Sequence, residues 1–140
     1  MSEPSSVKDL TLLGHSETSL PASPDEAQLE VFPNRNSQRN YTIELDYPEF
    51  NSLCPVTGQP DSAVLHICYI PDQVCVETKS LKFYLASFRN QAAFNEEVVN
   101  RILDDLVEAC SPRKMTVRGQ FSPRGGIRLT AEASFPDCEI

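Results

Sequence analysis

The chain has 140 residues, a formal charge of −8 and 40% hydrophobic residues, which suits one folded domain with a modest core. Its five cysteines are odd in number and too sparse for a disulfide scaffold, and no apolar run is long enough for a membrane span or a signal core. Nine of the twelve basic residues lie between Lys79 and Arg128, so we expect a cytoplasmic protein that binds a small anionic ligand rather than nucleic acid or a membrane.

The first 38 residues are rich in Ser, Pro, Asp, Glu and Asn and show no sustained hydrophobic periodicity. Their only apolar cluster is Leu10, Leu12 and Leu13. Such a segment buries too little apolar surface to fold by itself. We therefore predict a flexible N-terminal arm over residues 1–38 and one folded domain over residues 39–140.

Extended segments begin the folded domain. Apolar and polar residues alternate over residues 41–46, which indicates a half-buried strand. Residues 62–70 predict a second strand, which Pro71 ends, and residues 73–77 continue in extended form. The Cys54–Asp61 loop joins the first two strands.

Two helices and two strands follow. We expect Ser80 to cap or begin a short helix that ends near Asn90. A longer helix should run over residues 95–110, because its apolar residues recur three and four positions apart on one face. Strands over residues 114–121 and 127–135, joined by a Gly-rich turn, complete the domain.

The order β-β-α-α-β-β predicts an α+β fold, in which an antiparallel sheet carries its helices on one face. Such a sheet leaves its other face and its two edges uncovered. Oligomerisation would cover them, and edge-to-edge closure of several sheets into a barrel is one route.

The Cys54–Asp61 loop places a thiol and a carboxylate seven residues apart. Pro55 and Pro60 restrict its backbone, and Gly58 permits a turn between them. A loop of this kind can hold a nucleophile and a proton donor in one relative geometry. From the loop alone, an ordinary turn beside a buried thiol is the stronger interpretation.

Two further groups have a structural and a functional interpretation. Lys79 and Lys82 project in similar directions at a helix start, where free amides and ammonium groups suit a phosphorylated ligand, although a solvated lysine pair explains the spacing. Asn95, Glu96 and Glu97 begin the long helix, where capping and the helix dipole account for them. One of these carboxylates could instead accept hydrogen bonds from the N–H groups of a guanine-like ring.

The remaining polar features are weaker. Arg124 lies in a tight turn and could bind an anion. We expect no metal site, because the sequence has no C-x-x-C pair and His66, Cys68 and Cys75 lie in strand-like sequence. His66 is expected to be a core or rim residue rather than a catalytic base.

Taken together, these motifs resemble those of the NADPH-dependent nitrile reductases of queuosine biosynthesis, the QueF family, in its short single-domain form. The resemblance covers residues 39–135 and keeps the family's order. The Glu-x-Lys-Ser-x-Lys signature distinguishes these reductases from their relatives of the GTP cyclohydrolase I type. The matching motifs are Cys54-Pro-Val-Thr-Gly-Gln-Pro-Asp61, Glu77-Thr-Lys-Ser-Leu-Lys-Phe-Tyr84, Ser87-Phe-Arg-Asn90, Phe94-Asn-Glu96 and Phe121-Ser-Pro-Arg-Gly-Gly126.

The resemblance implies a tunnelling fold, whose subunits close their sheets into a ring barrel with ligand sites between neighbours. It also implies reduction of 7-cyano-7-deazaguanine to 7-aminomethyl-7-deazaguanine with two NADPH. Cys54 would attack the nitrile carbon to form a thioimide, and Asp61 would supply and accept protons. The implied substrate-binding residues are Glu77, Ser80, Asn95 and Glu96, and the implied cofactor-binding residues are Lys79, Lys82 and Arg124.

The sequence departs from the family at one position, where Asn95 replaces the histidine that commonly precedes the ring-binding glutamate. Asparagine forms hydrogen bonds but does not shuttle protons, so proton delivery would depend more on Asp61 or water. The alternatives are an amidinotransferase-like relative, which the Lys79 and Lys82 signature disfavours, and a silent binding protein, which Cys54 and Asp61 disfavour. A pterin-forming cyclohydrolase would need metal-ligand spacing that the sequence lacks.

Overall fold

A computed structural model describes residues 20–137 of the chain. The described chain forms six strands, two α-helices and one 3₁₀ helix. In chain order these are β1 (Val31–Pro33), β2 (Ile43–Leu53), β3 (Pro60–Ile70), β4 (Val74–Val76), α1 (Thr78–Ala86), the 3₁₀ helix Ser87–Asn90, α2 (Asn95–Cys110), β5 (Lys114–Phe121) and β6 (Thr130–Phe135).

The main sheet is antiparallel, with the strand order β2-β3-β5-β6. Alternate side chains of β3 and β5 are buried, as a sheet covered on one face requires. Helix α2 lies against β5 and β6 and buries the face that the three- and four-residue spacing predicts. The predicted α+β architecture with helices on one face is confirmed.

The bounds of α2 and β5 agree with the sequence prediction, and several others do not. Strand β2 continues to Leu53, because the pairing with β3 shifts register between Tyr47 and Phe50 and so carries the strand past Pro48. Helix α1 begins at Thr78, with Glu77 rather than Ser80 as its N-cap. Strand β6 begins at Thr130 instead of residue 127.

Strand β1 was not predicted. It lies in the segment assigned to the flexible arm, and it pairs with β4 through Val31 and Val76. The Glu77 N–H also donates to the Glu30 carbonyl at 2.8 Å, so this segment lies against the folded domain. Residues 1–19, including the predicted leucine cluster, fall outside the described range, and the boundary at residue 38 stays a prediction.

Candidate active site

The loop after β2 is closed by two backbone hydrogen bonds around Cys54. The Cys54 N–H donates to the Gln59 carbonyl at 2.8 Å, and the Gly58 N–H donates to the Cys54 carbonyl at 2.9 Å. Gly58 has a φ of 71°, which the turn needs and other residues rarely adopt. Cys54 is half-buried within this tight ring of residues. These bonds constrain the backbone at Cys54, in agreement with the proline and glycine pattern.

Hydrogen bonds from the loop favour the thiolate of Cys54. The Thr57 hydroxyl, followed by the N–H groups of Thr57 and Val56, lowers the pKa of the Cys54 thiol below its ordinary value. Partial desolvation and the negative charge of Asp61 oppose this effect. The net direction is downward, which suits a nucleophile because the thiolate is the reactive form.

The Thr57→Val substitution should raise the pKa of Cys54, because valine has a similar shape but no hydroxyl to stabilise the thiolate. Alkylation of Cys54 by iodoacetamide, followed across pH by mass spectrometry of the Cys54 peptide, should then reach half-maximal rate at a higher pH. Alkylation of Cys68 in the same samples is the internal control and should not shift. An unchanged Cys54 profile would contradict the role given to the Thr57 hydroxyl.

Asp61 is a nearly buried carboxylate, 9% exposed, at the start of β3. Its Oδ1 lies 2.6 Å from Nε of Arg124. The same guanidinium donates from Nη1 to the Gln59 side-chain oxygen at 3.0 Å and from Nη2 to the Pro60 carbonyl. Arg124 therefore contacts three consecutive residues at the end of the Cys54–Asp61 loop.

The start of α2 lies beside the same loop. The Leu53 N–H donates to the Gln91 carbonyl at 2.9 Å, and the Ala93 N–H donates to the Leu53 carbonyl at 3.2 Å. These bonds fix the segment before α2 next to Cys54. Asn95 and Glu96 follow directly, so the fold brings both within a few residues of this contact.

Asn95 does not cap α2, contrary to the expectation from its residue type. The N-cap is Phe94, and Asn95 is the first helical residue. Its Oδ1 is buried and has no hydrogen-bond partner among the described residues. A buried acceptor without a donor is costly, so this atom suits a ligand N–H. Glu96, next to it, is exposed.

The signature segment at the start of α1 uses its own carboxylate as a cap. Glu77 accepts hydrogen bonds from the N–H groups of Lys79 and Ser80 at 2.8 and 2.6 Å, and these bonds lower its pKa. The expectation of free amides for an anion is therefore wrong. Ser80 is buried, and its hydroxyl donates to the Glu77 carbonyl at 2.8 Å and accepts from the Glu30 N–H at 2.9 Å.

The candidate residues form two groups at opposite ends of β3. Cys54, Asp61, Arg124 and the start of α2 lie at the Pro60 end. The signature segment follows β4, which lies at the other end because the Val76 N–H donates to the Tyr69 hydroxyl at 3.0 Å. Eleven residues of strand extend roughly 33 Å. The fold of one chain therefore does not bring the two groups together.

His66 lies on the outward face of β3, in the middle of the strand. Its Nδ1 lies 2.5 Å from the Asp46 carboxylate on β2, and it is not part of the Cys54 group. Among residues 20–137, no three His, Cys, Asp or Glu side chains come together to hold a metal ion. Over the same range, no helix is both long and apolar enough to cross a membrane.

Comparison with known proteins identifies the family. The model of the QueF-like protein family matches residues 60–139. The chain belongs to the QueF family. A QueF relative from Streptococcus thermophilus, named NADPH-dependent 7-cyano-7-deazaguanine reductase, is 51% identical over 129 residues, which are 92% of this chain and 79% of the relative. A protein of the same name from Rhodopirellula baltica is 53% identical over 109 residues, which are 78% of this chain and 90% of the relative.

The structural comparison agrees on the fold. The crystal structure of the archaeosine synthase QueF-Like in the apo form matches with a TM-score of 0.63 at 22% identity, over 66% of this chain and 91% of that one. At this identity the match concerns architecture alone. With the antiparallel sheet and the two helices on one face, it confirms the tunnelling fold implied for a QueF protein.

The lysines of the QueF signature fit the phosphates of a dinucleotide cofactor. Lys79 and Lys82 are exposed, and neither has a carboxylate within 4.0 Å among the described residues. The Lys79 ammonium lies 5.9 Å from the centre of the Phe83 ring. Two exposed ammonium groups one helical turn apart, neither in a close ion pair within the described residues, suit a ligand with several negative charges.

The sequence did not indicate the roles of Thr57 and Gln59. The Thr57 hydroxyl lowers the pKa of Cys54, and the Gln59 side-chain oxygen accepts a hydrogen bond from Arg124. Both lie inside the recognised loop, but a threonine and a glutamine there are also ordinary turn residues. Their roles depend on side-chain directions that residue type alone does not specify. The sequence does show that both residues lie between Pro55 and Pro60, where the backbone is restricted.

Proposed function

We propose that this chain is an NADPH-dependent 7-cyano-7-deazaguanine reductase that forms 7-aminomethyl-7-deazaguanine in the cytoplasm, for queuosine biosynthesis. The observation that carries the proposal is the closed Cys54 loop, with its lowered thiol pKa and its buried carboxylate, in a chain about half identical to reductases of that name. The substrate, 7-cyano-7-deazaguanine, is the one that the names of these relatives state.

Cys54 is the proposed nucleophile. Its sulfur forms a bond to the nitrile carbon, one C–N π bond breaks, and the proton from the thiol passes to the nitrogen, so no electrons are gained or lost. The product is a thioimide, whose protonated C=N accepts hydride far better than a nitrile does. Asp61 is the proposed proton donor and acceptor at this nitrogen.

The deazaguanine ring is assigned to the start of α2. Glu96 offers a carboxylate to the ring N–H groups, and the unpartnered Oδ1 of Asn95 accepts a further hydrogen bond. Glu77 and Ser80 are assigned to the substrate through the family signature, with Glu77 acting in its capping position. Asn95 holds the ring without moving a proton, so proton transfer falls to Asp61 and water.

Two NADPH molecules, bound one after the other, would each supply one hydride. Lys79 and Lys82 are assigned to the NADPH phosphates because they are exposed and have no carboxylate within 4.0 Å among the described residues. Arg124 is the third cation of this proposed set, and its guanidinium also contacts the Cys54–Asp61 loop of its own chain.

The active site is proposed to form between subunits of a homo-oligomeric ring. The support is the separation of the two residue groups at opposite ends of β3, together with the edge positions of β2 and β6 in the main sheet of the described residues. A second subunit would place its signature segment against the Cys54 loop of the first. A solution mass equal to the 15.6 kDa of one chain, measured by light scattering under assay conditions, would contradict this assembly.

The proposed activity is tested by following NADPH absorbance with 7-cyano-7-deazaguanine as the limiting reagent. We expect two NADPH oxidised per nitrile consumed and the aminomethyl product by mass spectrometry. A nitrile adduct on the protein without NADPH oxidation would favour the amidinotransferase alternative, in which an amine releases the adduct. Substrate binding with neither adduct nor oxidation would favour a silent binding protein.

A further inference from the structure

The Arg124 guanidinium is directed at the Cys54–Asp61 loop of its own chain. Its three nitrogens contact Gln59, Pro60 and Asp61, with Nε 2.6 Å from the Asp61 carboxylate and Nη1 3.0 Å from the Gln59 side-chain oxygen. A cation reserved for a cofactor phosphate would be left without such partners, as Lys79 and Lys82 are in the described chain. Arg124 therefore differs from the two lysines in the polar contacts that it makes within its own chain.

The contacts reach Cys54 through Gln59. The Gln59 carbonyl accepts from the Cys54 N–H at 2.8 Å, while its side chain accepts from Arg124. One residue thus joins the thiol-bearing backbone to the guanidinium. Asp61, the proposed proton donor, is joined to the same guanidinium from the other side of Pro60. The relative placement of thiol and carboxylate depends on both links.

A tight hairpin holds Arg124 in this position. Arg124 and Ile127 exchange two backbone hydrogen bonds of 3.0 Å, and Gly125 and Gly126 between them have φ values of 57° and 83°. Positive φ at both central residues is the type I′ geometry that two-residue hairpins favour. The hairpin base is joined to β3, since the Ser122 N–H donates to the Ser62 carbonyl at 2.9 Å. Arg124 thus projects from a support anchored beside Asp61.

We propose that Arg124 is a positioning residue for the nucleophile, which sets the geometry of Cys54 and Asp61 through Gln59, Pro60 and Asp61 before the cofactor binds. This inference rests on the proposed thioimide chemistry and adds to the role in cofactor binding that the family resemblance implies. It predicts that loss of Arg124 slows the covalent step in the absence of NADPH. A residue that only bound the cofactor would leave that step unchanged.

The decisive measurement is the rate at which the protein gains the mass of one 7-cyano-7-deazaguanine without NADPH present. Arg124→Gln should slow this step at least about tenfold, because it removes the charged contact to Asp61 and the three-point fork. Gln59→Leu, which removes no charge, should slow it in the same direction and leave the KM for NADPH within about twofold. Lys82→Gln is the matched control: it should raise that KM without changing the rate of adduct formation.

Arg124→Lys separates the two roles. Lysine keeps the positive charge for a phosphate but cannot donate to three acceptors in a fixed fork. We expect the KM for NADPH to return towards the wild-type value while adduct formation stays slow. Circular dichroism and the solution mass of each variant show whether its fold and assembly are intact, and iodoacetamide alkylation of Cys54 gives a second readout that needs no substrate.

Adduct formation by Arg124→Gln and Gln59→Leu at the wild-type rate would overturn the proposal and leave Arg124 as a cofactor ligand. Recovery of the wild-type rate of adduct formation in Arg124→Lys, together with the wild-type KM for NADPH, would also overturn it, because a positive charge alone would then be sufficient. Failure of the wild-type protein to form any adduct would instead contradict the proposed reductase chemistry. The two failures are therefore distinguishable.

Discussion

The Cys54→Ala protein should oxidise no measurable NADPH with 7-cyano-7-deazaguanine and should gain no nitrile adduct. Without the sulfur there is no thioimide, and hydride would have to add to an unactivated nitrile. Alanine leaves the loop backbone able to form its hydrogen bonds with Gln59 and Gly58, so the effect should be on chemistry rather than on folding. Stopped-flow absorbance of NADPH and intact-protein mass spectrometry measure the two losses.

Cys68→Ala is the matched control for this substitution. Cys68 is another half-buried thiol, in β3 and paired with Glu44 and Thr116, away from the Pro60 end of the strand. Its removal should leave turnover within about twofold, since surface substitutions outside a site have small effects. Turnover by Cys54→Ala within tenfold of the wild type would rule out Cys54 as the nucleophile.

Asp61→Asn should lower kcat by about 10²- to 10⁴-fold, the usual contribution of a positioned proton donor. The amide keeps the shape of the carboxylate, and its oxygen can still accept a hydrogen bond from Arg124. It cannot transfer a proton to the nitrile nitrogen. Because the substrate-ring contacts at the start of α2 are untouched, the dissociation constant for 7-cyano-7-deazaguanine should change far less than kcat.

Asp72→Asn provides a comparison within the same fold. Asp72 also pairs with an arginine, since its Oδ1 lies 3.0 Å from Nη2 of Arg113, but it lies beyond Ile70 at the other end of β3. Its loss should leave kcat unchanged. Equal losses of kcat in the two variants would mean that a broken ion pair, rather than a missing proton donor, explains the effect of Asp61→Asn.

Local patterns predicted much of the fold. The bounds of α2 and β5 agree with the sequence reading because hydrophobic periodicity and Ser111–Pro112 define them over a few residues. The short strand β1 was missed, since three exposed residues give no periodic signal and only the pairing with β4 makes them a strand. The start of α1 was misplaced because Glu77 and Ser80 are both polar, and residue type does not decide which of them caps.

The sequence by itself indicated the family, the order of the four main-sheet strands and the two α-helices, and nine candidate site residues, of which Asn95 departs from the family's usual histidine. Those inferences depend on the order of residues along the chain. The sequence also indicated a constrained Cys54 loop, because proline and glycine act on their own backbone positions. It did not reveal how the side chains of the loop are used.

Only the tertiary structure decided which candidates are neighbours. Arg124 contacts Asp61 because the β3–β5 pairing brings the hairpin after β5 to the start of β3, although the two residues lie more than sixty positions apart in the chain. The signature segment at the start of α1 lies at the far end of β3, so it is distant from the group formed by Cys54, Asp61 and Arg124. Contacts between distant residues depend on sheet register and strand direction, whereas helix periodicity and turns depend on residues a few positions apart.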